Sequence, residues 1–486
     1  MAEGLSAGSR GARGTEYTGA MTRAFDFRHK RNFYNRLARL RKFVRSPWAG
    51  GVVLILFTVL ALVLANLPWT ASAYHHLLEA RLRIGFDGFS LDEPLEAWVN
   101  DGLMAVFFFY VGLEIKREVI AGRLSGLRQA ALPLAAALGG MVFPALIYFA
   151  INPSGPYAAG WGVPTATDIA FALGVLSLFG PRVPVSLKVF LTALAVVDDL
   201  GAIVLIAVFY STGIDYGLLA AAGGVFALLL VLNRLNVYRM CLYLIPSILL
   251  WVLFLHSGVH ATIAGVLIAM TIPATPRYSK RYFGYKSRHC MDDFRRHDRE
   301  GAEVLSNRAQ MEDLKRLSRV ALQSISPSQR LEHGLHHTVA FFIMPVFALA
   351  NAGVTVDGLG DLRVLASGQG LGVFLGLVLG KPLGIFLLSR LCVRLGWGAL
   401  PEGATWRGLL AVSCLGGIGF TMSIFINTLA FGDPVYVASG KIAVLAASFS
   451  AIGVSLLGMR FLMRGKALET EYNNSMFFFE YAVLLT

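Results

Sequence analysis

The fold of this chain is decided around the stretch Leu194-Ala195-Val196-Val197-Asp198-Asp199-Leu200-Gly201-Ala202-Ile203-Val204. Its two adjacent aspartates lie within a largely apolar run from Pro184 to Tyr210. A run of this length predicts a membrane-spanning helix, and a carboxylate near the centre of a bilayer costs about 2.5–3.5 kcal/mol on insertion scales. Two carboxylates in succession therefore indicate a site for an ion or for protons.

Composition places the whole chain in the same class. Of its 486 residues, 56% are hydrophobic and 15% are charged, whereas a soluble protein carries roughly a quarter charged residues. Apolar runs long enough to cross a bilayer recur along the chain, which predicts an all-α polytopic membrane protein with one membrane domain. The four cysteines are widely spaced and predict neither a disulfide framework nor a metal knuckle.

The apolar runs predict about 12 transmembrane helices. Their expected positions are 47–66, 95–116, 130–151, 160–178, 184–210, 216–233, 240–256, 259–273, 333–353, 370–392, 406–431 and 438–462. Basic residues concentrate in the connections on one side, so we expect both termini to be cytoplasmic. The net charge of +13 then reflects topology, and we expect no nucleic-acid partner.

The chain divides into three regions. Residues 1–46 form a basic N-terminal extension, 47–464 the membrane domain, and 465–486 a C-terminal tail. Within the extension, the basic stretch from Asn32 to Val44 could lie on an anionic membrane surface or could be a plain cytoplasmic tail. The long polar loop 274–332, with a helix-like stretch from about Arg299 to Gln323, is either a solvated excursion or a regulatory, partner-binding segment.

Two spans carry helix-breaking residues. The fourth contains Gly162, Pro164 and Asp168, and the eleventh contains Gly416-Gly417-Ile418-Gly419-Phe420-Thr421. Non-helical backbone at membrane depth persists only where it is buried in protein or lines a polar cavity. A pair of interrupted helices in the two halves predicts an inverted-repeat transporter with its site at the midplane.

The charged residues inside the spans predict a proton-coupled cation site. Asp198 and Asp199 are consecutive on a helix, so their side chains point about 100° apart, and the pair titrates as one coupled system. Lys381, in Gly380-Lys381-Pro382, needs a carboxylate partner at that depth unless it reaches an interface. A lysine–carboxylate pair that opens when a cation arrives would exchange a proton for that cation.

Two polar residues in the broken fourth span extend this site. The carboxylate of Asp168 suits the positive N-terminal ends of two opposed half-helices. Thr167 offers an oxygen to a hard cation, or it caps a helix.

Four motifs in this order resemble the bacterial sodium/proton antiporters of the NhaA type. The resemblance runs from about 47 to 464, broken only by the long loop. The matching motifs are Ala166-Thr167-Asp168-Ile169-Ala170-Phe171-Ala172-Leu173-Gly174, Val197-Asp198-Asp199-Leu200-Gly201-Ala202-Ile203, Gly380-Lys381-Pro382-Leu383-Gly384-Ile385 and Gly417-Ile418-Gly419-Phe420-Thr421-Met422-Ser423-Ile424-Phe425-Ile426.

The resemblance implies specific roles. Asp199 would be the principal ligand of a transported Na⁺ or Li⁺, and Asp198 the acid that pairs with Lys381. Asp168 and Lys381 would balance the dipoles of the interrupted fourth and eleventh helices, which would cross at the midplane. It also implies electrogenic exchange with more than one H⁺ per cation, in a homodimer that lies in a bacterial inner membrane and needs no cofactor.

The resemblance further implies a set of pH-response residues. Their positions in this chain are Glu114, Arg117, Glu118, His260, Glu332, His333 and His336. Histidine is the side chain that titrates near neutrality without perturbation, so such a role is chemically sensible. Anchoring of helix ends is the alternative for the charged groups, and a polar contact at a helix end is the alternative for His260.

We therefore predict a Na⁺(Li⁺)/H⁺ antiporter that is not an enzyme. A sodium-coupled organic-solute symporter of similar architecture is the first alternative, but it would not need adjacent aspartates together with Lys381. An intramembrane aspartyl protease needs two aspartates that face each other from separate helices, whereas Asp198 and Asp199 diverge. A non-transporting sensor has only the long loop in its favour.

Overall fold

A computed structural model describes residues 49–462, except 87–88, 123–125, 181–182, 212, 299–306 and 356–360. Three predicted regions lie outside the described residues. They are the N-terminal extension 1–46, its stretch from Asn32 to Val44, and the tail 465–486.

Apolar helices make up most of the described chain. A helix satisfies its backbone hydrogen bonds within one segment, which is why apolar stretches in lipid adopt it. The α-helices are α1 (Ala49–Asn66), α2 (Ala71–Glu79), α3 (Leu95–Ala97), α4 (Met104–Ile120), α5 (Leu127–Ile151), α6 (Ile169–Ser177), α7 (Val185–Phe209), α8 (Tyr216–Arg234), α9 (Cys241–His256), α10 (Thr262–Thr271), α11 (Lys280–Arg296), α12 (Arg308–Gln323), α13 (Pro327–Thr338), α14 (Met344–Asn351), α15 (Gly368–Leu375), α16 (Lys381–Arg394), α17 (Trp406–Gly416), α18 (Phe420–Ala430) and α19 (Pro434–Leu462).

Short 3₁₀ and π segments connect several of these helices. The 3₁₀ segments are Ala158–Thr165 and Asp361–Ala366, and the π segments are Trp98–Leu103, Val339–Ile343 and Gly376–Gly380. By length and apolar composition, eight helices among the described residues can cross a membrane, and nine if the bent pair α17 and α18 is one span. The structure thus supports a polytopic helical membrane protein.

The prediction of an all-α fold is wrong in one place. Strands β1 (Arg81–Phe86) and β2 (Phe89–Pro94) form a two-stranded antiparallel sheet in which Arg81 is opposite Pro94. The alternation of Arg81 and Arg83 with Leu82 and Ile84 is the period-two pattern of a strand. The pattern is only four residues long and lies between two long apolar runs, so by itself it is a weak signal for a strand.

The long loop is more structured than predicted. Its first half contains α11, and the predicted helix-like stretch from Arg299 corresponds to α12, which begins at Arg308. The last helix of the region also begins earlier than predicted, at Pro327 instead of 333, because Ser326 accepts a hydrogen bond from the backbone N–H of Gln329 and caps it. The connection between Thr271 and Pro327 thus holds two additional helices.

An aromatic cluster fixes the second half of the bent pair. Phe425 of α18 packs between Phe108 of α4 and Phe347 of α14, with ring centroids 5.7 Å and 6.1 Å apart. All three rings are buried. Packing of large rings against one another resists displacement, so α18 and its N-terminal end are held firmly in the core.

Two glycines let α5 and α16 come into backbone contact. A Cβ added to Gly384 would lie 2.0 Å from the carbonyl oxygen of Gly139, and a Cβ on Gly139 would lie 2.0 Å from that of Gly384. Small residues allow such approaches between helices in membranes. This contact holds α16, which begins with Lys381, against α5.

We expect Gly384→Ala to destabilise the protein, because the added Cβ would overlap backbone that no side-chain rotation can move. Overpacking of a core costs about 1–3 kcal/mol. Gly224→Ala in α8 is the control, since a Cβ there meets no described atom within 4 Å. Size-exclusion chromatography after stepwise heating measures the apparent melting temperature, and equal values for the two variants would contradict the prediction.

Candidate ion site

The chain leaves helical conformation between Thr165 and Ile169. The 3₁₀ segment Ala158–Thr165 includes Pro164, which cannot donate a backbone hydrogen bond. Ala166 and Asp168 are then extended, and the Asp168 carboxylate accepts a hydrogen bond of 3.0 Å from the N–H of Phe171. Asp168 is therefore the N-cap of α6.

A second break lies opposite the first. Helix α17 ends at Gly416, α18 begins at Phe420, and the two are bent by 46°. The backbone N–H of Asp168 donates a hydrogen bond of 2.7 Å to the carbonyl of Ile418. The two non-helical segments thus satisfy part of each other's backbone at a buried position.

Asp168 serves the N-terminal ends of two helices. One carboxylate oxygen caps α6, while Oδ2 accepts hydrogen bonds from the N–H of Thr421, at 3.3 Å, and from the Thr421 hydroxyl. Helix N-termini carry partial positive charge and unsatisfied N–H groups. A fully buried carboxylate between two such ends neutralises both.

Lys381 and Asp198 form a buried ion pair. The Nζ of Lys381 lies 2.6 Å from Oδ2 of Asp198, and each side chain is 1% exposed. Lys381 also donates to the carbonyl of Thr165, at the C-terminal end of the 3₁₀ segment. The ammonium therefore meets a carboxylate and a helix end of partial negative charge, and it does not reach an interface.

Thr167 contacts Asp198 directly. Its hydroxyl lies 2.5 Å from Oδ2 of Asp198 and 3.0 Å from the carbonyl of Gly416, at the end of α17. The hydroxyl carries one hydrogen and can donate to one of them at a time. Capping of α6, the alternative role for Thr167, is performed by Asp168.

Asp199 lies beside this pair. The residue is 1% exposed, and its Oδ2 has no hydrogen-bond partner among the described residues. The Oδ1 of Asp198 is equally unpartnered there. Buried carboxylate oxygens without donors are costly, and they are the ligands that a hard cation prefers.

The structure brings four of the predicted pH-response residues together. Arg117 contacts Glu332, and its Nη2 lies 3.0 Å from Glu118 and 4.0 Å from Glu114. Arg117 thus links three carboxylates of α4 and α13. One oxygen of Glu332, Oε2, is buried without a hydrogen-bond partner among the described residues.

The three predicted histidines occupy different surroundings. His336 Nδ1 lies 3.0 Å from the Tyr110 hydroxyl of α4, whereas the exposed His333 contacts the carbonyl of Gln329 within its own helix. His260 contacts the carbonyl of Tyr210, 3.0 Å away at the end of α7. This is the polar contact at a helix end that was its alternative interpretation.

Several contributing residues were absent from the predicted site. Thr421 binds Asp168, and the carbonyls of Thr165 and Gly416 bind Lys381 and Thr167. Lys116 donates to the carbonyl of Met270 at 2.7 Å, near the end of α10. Thr421 lies in the glycine-rich motif that marks the second break, but no local signal pairs its hydroxyl with Asp168.

Comparison with known proteins gives one family. The model of the family "Na+/H+ antiporter 1" matches residues 41–459. A protein of Oleidesulfovibrio alaskensis named Na(+)/H(+) antiporter NhaA is 48% identical over 433 residues, which cover 89% of this chain and 96% of the relative.

Two further relatives are also named Na(+)/H(+) antiporters. Na(+)/H(+) antiporter NhaA of Acidithiobacillus ferrooxidans is 46% identical, covering 88% of this chain and 99% of the relative. Na(+)/H(+) antiporter NhaA 2 of Sorangium cellulosum is 46% identical, covering 88% and 92%. A match to the family model over most of the chain, with relatives of this similarity, means that the protein belongs to the Na⁺/H⁺ antiporter 1 family.

Proposed function

We propose that this protein is a secondary active transporter that exchanges cytoplasmic Na⁺ or Li⁺ for external H⁺, and that it is not an enzyme. The observation that carries the proposal is the buried Lys381–Asp198 pair beside the unpartnered Asp199. The names of the relatives support Na⁺ and H⁺ as the exchanged ions. They give no support to an organic-solute symporter.

Charge explains why such a site couples a cation to protons. With Lys381 charged, Asp198 ionised and Asp199 protonated, the site is neutral, as a buried site requires. When a cation binds both carboxylates, release of the Asp199 proton keeps the site neutral. The cation also takes the Asp198 carboxylate from Lys381, and a buried ammonium without its partner loses its proton more readily. When that second proton leaves, one cation has replaced two protons, and the exchange is electrogenic.

The roles follow from this scheme. Asp199 is the principal cation ligand, and Asp198 is shared between the cation and Lys381. Thr167 supplies a further oxygen near Asp198. Asp168 acts electrostatically at the two helix ends without touching the ion. The transported cation is cargo, and the mechanism requires no cofactor.

The proposed architecture has twelve spans in two inverted repeats. The broken fourth and eleventh spans would cross at the midplane, with both termini cytoplasmic in the inner membrane and the chain acting as a homodimer. The nine candidate spans of the described residues, together with the shorter helices α4, α9 and α10, would make twelve. The contact between Asp168 and Ile418 supports a crossing of the two broken spans.

The cluster around Arg117 is proposed to set the pH response. Its carboxylates belong to two different helices, so a change in their protonation changes the force that holds α4 against α13. His336 and His333 would contribute from α13. His260 lies before α10, while Lys116, next to the cluster, donates to carbonyls at the other end of that helix. Ten residues of helix, about 15 Å, thus separate His260 from the cluster.

We expect Asp199→Asn to abolish exchange, because the amide cannot carry the charge that the cation replaces. In everted vesicles, the fluorescence of a pH-sensitive dye should be dequenched when Na⁺ or Li⁺ is added to the wild type, and it should not change for the variant. Asp433→Asn is the control, since the side chain of this exposed aspartate bonds only the N–H of Val435 among the described residues. Absence of a wild-type response from neutral to alkaline pH would refute the function, and normal exchange in Asp199→Asn would remove that residue from the site.

We expect the effects of Asp198→Asn and Lys381→Met to be less than additive. Each single change leaves one buried charge without its partner, which costs about 3–5 kcal/mol, whereas the double change removes both charges. The apparent melting temperature and the pH profile of dequenching measure this coupling. Additive losses in the double variant would mean that the pair does not act as a unit.

We expect Glu332→Gln to shift the pH of half-maximal exchange while leaving the response at the optimum within about threefold. The amide cannot titrate and weakens the contact with Arg117, so the cluster responds over a different pH range. Glu312→Gln, an exposed residue of α12, is the matched control. An unchanged pH profile in Glu332→Gln would count against a role for this cluster in pH response.

A further inference from the structure

We propose that Arg239, Arg277 and Arg330 form a binding site for a phosphate-bearing anion. The three side chains line a cavity of about 350 Å³ together with Tyr238, Gln323 and Pro327. The cavity lies where the connections α8–α9, α10–α11 and α12–α13 meet. It is separate from the buried ion pair and from the cluster around Arg117.

The first argument is electrostatic. None of the three guanidinium groups has a carboxylate within 4.0 Å among the described residues, whereas Arg117 contacts three. The Nε of Arg330 is buried and has no hydrogen-bond partner among the residues that the structure describes. Three like charges around one cavity repel one another, and an unsatisfied buried donor adds to that cost. An anion in the cavity would relieve both.

The second argument is that backbone contacts hold the site in place. The N–H of Tyr278 bonds the carbonyl of Gln323 at 3.1 Å, and the N–H of Ser328 bonds the carbonyl of Pro273 at 3.2 Å. These bonds tie the segment that carries Arg277 to the end of α12 and to the start of α13. Binding therefore requires little ordering of the backbone, which favours affinity.

The third argument concerns the class of ligand. Planar guanidinium groups bind phosphate oxygens through paired hydrogen bonds, and Arg330 lies in the first turn of α13, where the helix dipole also favours an anion. The cavity has the volume of roughly ten water molecules at about 30 Å³ each. It therefore has room for a phosphate ester and not only for a phosphate ion. The ester could be a soluble nucleotide or a lipid headgroup.

A ligand here would connect the two additional helices to the membrane domain. Arg277 precedes α11 and Gln323 ends α12, whereas Arg330 stands two residues before Glu332 on α13. The anion would thus join both ends of the additional helical pair to the helix that contacts Arg117. This gives the long connection a specific partner instead of a purely solvated role.

Titration calorimetry tests the soluble source. The full chain in phosphatidylcholine nanodiscs is titrated with ATP and with inorganic phosphate at constant ionic strength. We expect saturable binding that Arg277→Gln and Arg330→Gln each weaken about tenfold or more, as expected for loss of a charge-assisted hydrogen bond. Arg288→Gln, on the exposed side of α11 and outside the cavity, should bind like the wild type.

Native mass spectrometry tests the lipid source. If the ligand is a headgroup, protein from phosphatidylglycerol nanodiscs should retain that lipid in the wild type and in Arg288→Gln, and lose it in the two cavity variants. Arg330→Lys keeps the charge without the planar guanidinium group and should bind with intermediate strength. Such graded binding would not be expected if the glutamine variants lost binding only because they misfold. If neither probe separates the cavity variants from Arg288→Gln, the proposal is wrong. Neither assay measures exchange, so the outcome is independent of the proposed function.

Discussion

The ion pair between Lys381 and Asp198 is the interaction on which the rest of the structure depends. Each partner is 1% exposed, so either charge alone would be removed from water without compensation. Buried pairs add little net stability, but loss of one partner is costly because it leaves the other charge unpaired. The close packing of Gly384 on Gly139 matters for this reason, since it fixes α16 at the depth where Lys381 meets Asp198.

The broken helices and the proposed ion site share the same side chains. Two interruptions leave four helix ends inside the protein, and each end has backbone groups without helical partners. Asp168 satisfies the two N-terminal ends, Lys381 bonds the carbonyl of Thr165, and Thr167 can bond that of Gly416. The side chains that stabilise the breaks therefore surround or belong to the site. A substitution among them changes local backbone stability and the charge balance at the same time.

Much of this arrangement could be predicted because charge inside an apolar run is conspicuous. Asp198, Asp199, Lys381 and Asp168 stand out in this way, and prolines and glycines mark the breaks. The hydrogen bond from the Thr421 hydroxyl to Asp168 joins residues 253 positions apart, and no local sequence pattern predicts such a contact. The two strands and α11 are not apolar runs, so the signal that marks the spans does not mark them. The alternation in β1 covers only four residues, and the strand is completed by its pairing with β2.

The two adjacent aspartates show where sequence reasoning reaches its limit. Their shared helix and apolar flanks give them identical local signals, and only a rotation of about 100° separates their side chains. That rotation gives Asp198 two close polar neighbours, Lys381 and Thr167, and leaves Asp199 with none among the described side chains. The difference is set by the positions of α16 and of the break before α6, elements far away in sequence. A pair of equal residues thus becomes a bound carboxylate and an available one, which is the asymmetry that exchange of a cation for protons requires.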